Sequence, residues 1–222
     1  MPDRRARTVA GPPQQRYQRA AAAPPAYLGA IVTASYDGNS DDLLTAGLGK
    51  TGLGGAVPAM ADPAQPTPAE LRRLAIFNNY RAILDITAAG GCGSLYGPNV
   101  DAKGVITTSE GKIAGTEYIA YSDDGTGKQN ITMMEQIPAT FNPANPCIVT
   151  GVSRGSRGVY GAIGSSGEWG LKNGCPVAYT DKGIGSGSGS GIHDLQNNTI
   201  SVQNGVRTDA AAAGKTRSSP PT

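Results

Sequence analysis

Two short apolar runs do most to limit how this chain can fold. Residues 147–152 read CIVTGV and residues 175–180 read CPVAYT, with the glycine-interrupted segment 159–173 between them. Each run has the length and branched-residue content of a buried strand, and 159–173 is amphipathic at helical spacing. Strand, helix and strand joined by a short crossover form a right-handed βαβ unit. Residues 147–152 and 175–180 are therefore expected as parallel neighbours.

The preceding residues supply antiparallel partners. Residues 113–121, IAGTEYIAY, and 129–137, QNITMMEQI, flank the turn chemistry of 122–127 and read as a β-hairpin. Thr67, Pro68, Ala69 and Glu70 form a capping box with proline at the first helical position. Leu71, Leu74, Ile76 or Phe77, Tyr80, and Ile83 or Leu84 then recur at helical spacing. A helix is expected over 68–86, ended by Gly90 and Gly91. Residues 35–66 and 141–146 read as loop.

These elements give an α/β fold class: an incomplete α/β-hydrolase-like sheet of N-terminal hairpin, third strand, first helix and fourth strand, with disordered termini. Residues 1–34 read as a disordered basic tail, with Arg4, Arg5, Arg7, Arg16 and Arg19 as a solvated arm. Residues 35–182 read as the N-terminal part of the domain. Residues 183–222 read as a Gly/Ser-rich, low-complexity segment in which 195–207 form one more strand or hairpin. The tract GIGSGSGSGI, 183–192, reads as a linker rather than a phosphate cradle. The sheet is expected to end in an unpaired edge, a liability for aggregation.

Composition narrows the chemistry. A net charge of +2 gives the chain no strong field for nucleic acid or a membrane surface. No run approaches the ~20 apolar residues of a membrane span. No apolar stretch follows the N-terminal arginines, so no secretory signal is readable; the protein stays inside, or its natural start is missing. Cys92, Cys147 and Cys175 lack C-x-x-C spacing, so no zinc site is expected, and no other metal or cofactor. Cys147 and Cys175 open strands expected to be adjacent. They read either as a disulfide pair, which needs an oxidising compartment, or as two small buried hydrophobes.

Two glycine motifs fail on context. Gly47-Leu-Gly-Lys-Thr-Gly52 is a formal G-x-G-x-x-G, but no strand is expected to lead into it and no helix to open from it. As a P-loop it has Leu44 where the first glycine should stand, and Gly214-Lys215-Thr216 has Asp209 there.

Gly151-Val152-Ser153-Arg154-Gly155 matches the nucleophile elbow, G-x-S-x-G. Three readings stay open. Ser153 could be a nucleophile with Asp181 and His193 in the order Ser…Asp…His, but His193, the single histidine, lies in the Gly/Ser tract. The segment could be a purely structural turn. Or Ser153, Arg154, Gly155, Ser156, Arg157 and Gly158 could be an oxyanion loop. In α/β-hydrolases the loop after the third strand supplies a backbone N–H to the oxyanion hole, while the elbow follows the fifth. By strand count 153–158 occupies the oxyanion position.

The stretches YDGNSDDLLTAGLGKTGLGG, AELRRLAIFNNYRAILDIT, YGPNV, EGKIAGTEYIAYSDDGTGKQN, FNPANPCIVTGVSRGSRGVYGAIG and EWGLKNGCPVAYTDKG occur in this order between about Ser35 and Lys215. Together they resemble the N-terminal portion of the D-(−)-3-hydroxybutyrate oligomer hydrolases. The resemblance implies a secreted or periplasmic serine esterase that cleaves 3-hydroxybutyrate oligomers and dimers to monomers in poly-3-hydroxybutyrate degradation. It implies a small ester substrate, no cofactor and no nucleic-acid or membrane partner, and leaves the oligomeric state unknown. It also implies a nucleophile in a Ser-Asn-Gly-Gly segment, which these residues do not contain. The chain is thus expected to be a truncated, inactive form. A non-catalytic remnant or binding module is the alternative, and a self-contained esterase using Ser153 a third.

Overall fold

The computed structural model describes residues 23–62, 67–122, 131–153 and 157–181, with 202–203 and 206–207. In chain order the elements are β1 (Val32–Tyr36), α1 (Gly49–Gly54), α2 (Pro68–Ile83), β2 (Gly115–Ser122), β3 (Ile131–Pro138) and β4 (Val149–Val152). A 3-10 turn (Val159–Ala162), a π turn (Ile163–Gly167) and α3 (Glu168–Lys172) follow, then β5 (Val177–Thr180). β6 (Val202–Gln203) and β7 (Val206–Arg207) pair antiparallel by themselves, inside the stretch expected to hold a strand or hairpin.

Five strands form one mixed sheet in the order β1-β2-β3-β5-β4. The hairpin β2–β3 pairs Gly115 with Pro138 and Ser122 with Ile131. β5 adds antiparallel to β3, and β4 lies parallel to β5 with Val149 opposite Val177. The last pair is the expected parallel neighbour relation. The order makes β4 an outer strand. Ile148, just before it, and Val152, at its end, stand exposed.

Four expectations change. β1 forms where a tail and loop were read, because β2 offers an unpaired side; its own residues are largely exposed and show no apolar alternation to reveal it. Helix α2 stops at Ile83 with Leu84 extended, before Gly90 and Gly91. Asp85 explains the early stop: its carboxylate accepts the Thr87 N–H and hydroxyl and turns the chain. α1 does open within the G-x-G-x-x-G segment, contrary to the reading, although no strand leads directly into it. Finally, 159–173 is not one helix but three successive turns of different pitch.

Glycines in that last segment serve close packing. A β-carbon at Gly170 would lie 2.6 Å from Val177 Cγ2, and one at Gly167 would lie 2.5 Å from the Tyr179 hydroxyl. The low helix propensity at these positions is the cost of pressing the segment onto β4 and β5.

α2 covers one face of the sheet. Leu71, Ala75, Ile76, Phe77 and Tyr80 pack with Leu43, Leu44, Ile163, Leu171 and Val177 in one buried cluster. On the opposite side Leu28, Ile31, Tyr118, Met133, Val152 and Ala178 help line an open cleft of about 440 Å³.

A charged pair lies inside this core. The Arg72 guanidinium donates to Asp41 at 2.9 Å, to Glu117 at 3.2 Å and to the Asp42 carbonyl at 2.9 Å. Glu117 also accepts the Tyr160 hydroxyl and the Gln136 amide, each at 2.8 Å. The Tyr179 hydroxyl donates to Gln136 at 2.8 Å. The network ties α2 to β2, β3, β5 and the 3-10 turn.

Burial, and after it nearby carboxylates, push the hydroxyls of Tyr36, Tyr80, Tyr160 and Tyr179 above their usual pKa. A tyrosine whose folded pKa is raised contributes stability fully below its unfolded value of about 10 and loses it as pH rises beyond. Alkaline unfolding is therefore expected above about pH 10. Phenolate absorbance should show these four side chains ionising together with loss of far-ultraviolet dichroism. Ionisation with the dichroism intact would contradict this.

Candidate functional site: the turn after β4

β4 ends where its ladder with β5 runs out. The Ser153 N–H extends that ladder by one bond, donating to the Thr180 carbonyl at 2.9 Å. The next turn must leave the sheet and enter the helical segment. Gly158 makes that entry with φ 72° and ψ −174°, a backbone that residues with a β-carbon rarely adopt. Gly161 N–H then closes on the Gly158 carbonyl at 3.0 Å to begin the 3-10 turn.

Two neighbours hold this entry. The Asn79 side chain, on the buried face of α2, donates from Nδ2 to the Arg157 carbonyl at 3.3 Å. Tyr160, two residues beyond Gly158, is anchored through its hydroxyl to Glu117. Arg157 is partly buried, and Gly158, Val159 and Tyr160 are buried. Arg154, Gly155, Ser156 and His193 lie outside the described residues.

Ser153 is 2 % exposed, and its Oγ has no hydrogen-bond partner. A serine nucleophile needs a base in hydrogen-bond reach, and neither Asp181 nor any other described residue bonds to this oxygen. Asp181 follows β5 directly and is buried. Its Oδ1 accepts the Thr132 N–H at 3.0 Å, so it braces β3. An unpartnered buried hydroxyl costs about 1–3 kcal/mol. Ser153→Ala is thus expected to leave the urea midpoint unchanged or raise it; a loss above about 1 kcal/mol would contradict this.

Cys147 and Cys175 are joined in a disulfide with their Cα atoms 5.1 Å apart, closing the crossover just before β4 and β5. Cys92 is unpaired, and burial raises its thiol pKa. Among the described residues no group of three or more His, Cys, Asp or Glu is placed to hold a metal ion. No helix among them is long and apolar enough to cross a membrane.

The sequence reading missed Asn79, Arg72, Glu117 and Tyr160. A signal existed on α2. Arg72 and Asn79 are seven residues apart, so they share a face, and both adjoin the apolar stripe of Leu71, Ile76 and Tyr80. A polar residue on such a stripe has a buried partner to find.

The family model described as 3HB-oligomer hydrolase matches residues 8–219. The chain is similar to a D-(−)-3-hydroxybutyrate oligomer hydrolase of Polaromonas naphthalenivorans, 83 % identical over 191 residues, 86 % of this chain and 26 % of that protein. A protein of the same name from Albidiferax ferrireducens is 79 % identical over 86 % of this chain and 27 % of its own length. Another from Cupriavidus necator is 60 % identical over 86 % of this chain and 26 % of its own length. The chain thus spans about a quarter of the length of these relatives. No solved structure matches it.

Proposed function

The chain belongs to the 3HB-oligomer hydrolase family, and on that premise we propose that it forms the N-terminal part of an enzyme hydrolysing 3-hydroxybutyrate oligomers to monomers. The proposed mechanism is that of a serine esterase, and the turn at 153–158 is its oxyanion loop. A serine hydroxyl attacks the ester carbonyl, and its proton passes to a general base. The tetrahedral oxyanion is held by backbone N–H groups, and its collapse breaks the ester C–O bond as the base returns its proton to the departing oxygen. Water then releases the acyl group from the serine. The nucleophile is assigned to a Ser-Asn-Gly-Gly segment outside these residues.

One observation carries this reading: the turn follows β4 in a sheet ordered β1-β2-β3-β5-β4, in which β1 adds outside the hairpin β2–β3. β1 apart, a hairpin continuing into a parallel pair, with the earlier strand outermost, is the order expected of the first four strands of an α/β-hydrolase and supports the reading. The turn after the third of these supplies the oxyanion donor. The buried, unbonded Ser153 Oγ argues against the self-contained esterase. The Cys147–Cys175 bond fits an oxidising compartment, and so an extracellular or periplasmic site.

The test is kinetic, in the full-length Polaromonas relative with this chain in place of its own homologous quarter. Gly158→Ala should lower kcat on 3-hydroxybutyrate dimer by about 10²–10³-fold. Ser153→Ala should leave it within a few-fold. Loss of the acyl-enzyme burst in Ser153→Ala would overturn the assignment.

A further inference from the structure

We propose that Asn79 is a positioning residue for ester hydrolysis, because it fixes which way the Arg157–Gly158 peptide faces. This rests on the oxyanion-loop reading and names the Gly158 N–H as its donor.

A carbonyl oxygen only accepts, so the atom of Asn79 that faces the Arg157 carbonyl must be the amide nitrogen. The side chain therefore has one workable orientation. That orientation leaves Oδ1 buried with no partner in a residue that is 0 % exposed. Stability alone would favour an apolar side chain here, between Ile76 and Tyr80 of the same buried face. Among the described residues, Asn79 keeps an orphaned oxygen in the core in return for a hydrogen bond to the turn after β4.

The contact determines a direction. No peptide bond among the described residues is cis, and in a planar trans peptide the N–H points opposite to the C=O. With the Arg157 carbonyl turned toward α2, the Gly158 N–H points away from α2. The positive φ of Gly158 then lets the chain enter the 3-10 turn without rotating that peptide back. Two residues on, the Tyr160–Glu117 bond fixes the turn itself. The peptide is thus held on both sides. A donor aimed before substrate arrives needs no reorganisation as the oxyanion forms.

The same full-length chimera tests this. Asn79→Leu is nearly isosteric and removes the donor; Asn79→Ser is the second variant if the first yields no folded enzyme. Active sites are counted by the acyl-enzyme burst, so kcat refers only to folded molecules. The expected result is a fall of about 10- to 100-fold in kcat per titrated site with KM within twofold, since the Gly158 donor that Asn79 aims engages the oxyanion only in the transition state. A purely structural Asn79 would reduce the number of titrated sites and leave kcat per site unchanged, which overturns the inference. Gly158→Ala separates the two levels. If it is impaired while both Asn79 variants turn over normally, the positioning role alone fails. If all turn over normally, the oxyanion reading fails with it.

Discussion

Arg72→Met is expected to destabilise the fold by about 3–5 kcal/mol, because it leaves a buried carboxylate without its cation. Burial by itself opposes the charge on Arg72, but Glu117 above all more than offsets that and holds the guanidinium protonated. Glu117 is 2 % exposed. Without Arg72 it would keep, among the described residues, only neutral donors, the hydroxyls of Tyr36 and Tyr160 and the Gln136 amide. Urea unfolding of the single variant should show the full loss. Arg72→Met with Glu117→Gln should recover most of it, since no buried charge then lacks a partner. A single variant within about 1 kcal/mol of the parent would contradict this account of the core.

Loss of the Cys147–Cys175 bond is the second large effect. The half-cystines are 28 residues apart in sequence. Closing a loop of that length removes unfolded-chain entropy worth about 3–4 kcal/mol. The bond also joins the entries of β4 and β5, two strands of four residues each that flank the turn at 153–158. Reduction, or Cys147→Ser with Cys175→Ser, should therefore lower the urea midpoint by the corresponding amount. Reduction that moved stability by less than about 1 kcal/mol would contradict the expectation.

The parts of this fold that were legible in sequence are those whose signal is local. The capping box at Thr67 states where α2 begins, and both of its reciprocal bonds form. Turn residues between two β-rich runs placed the hairpin to within two residues. The apolar runs after Cys147 and Cys175 placed the parallel pair. What escaped depends on distant partners. β1 is a strand because β2 has a side to fill. The breaks in 159–172 come from the close approach of Val177 and Tyr179 to glycines that only the folded state juxtaposes. At the turn after β4, sequence pointed to Ser153 through a motif, whereas the geometry draws attention to Asn79 and Gly158. Asn79 lies 78 residues from the carbonyl it holds, and no local spacing connects them.

Covalent labelling tests the central claim most directly. The full-length relative carrying this chain is treated with a fluorophosphonate, which marks an activated serine, and the adduct is mapped on its peptides. The account predicts one modified serine outside these 222 residues, with the peptide containing Ser153 unmodified. An adduct on Ser153 would contradict it.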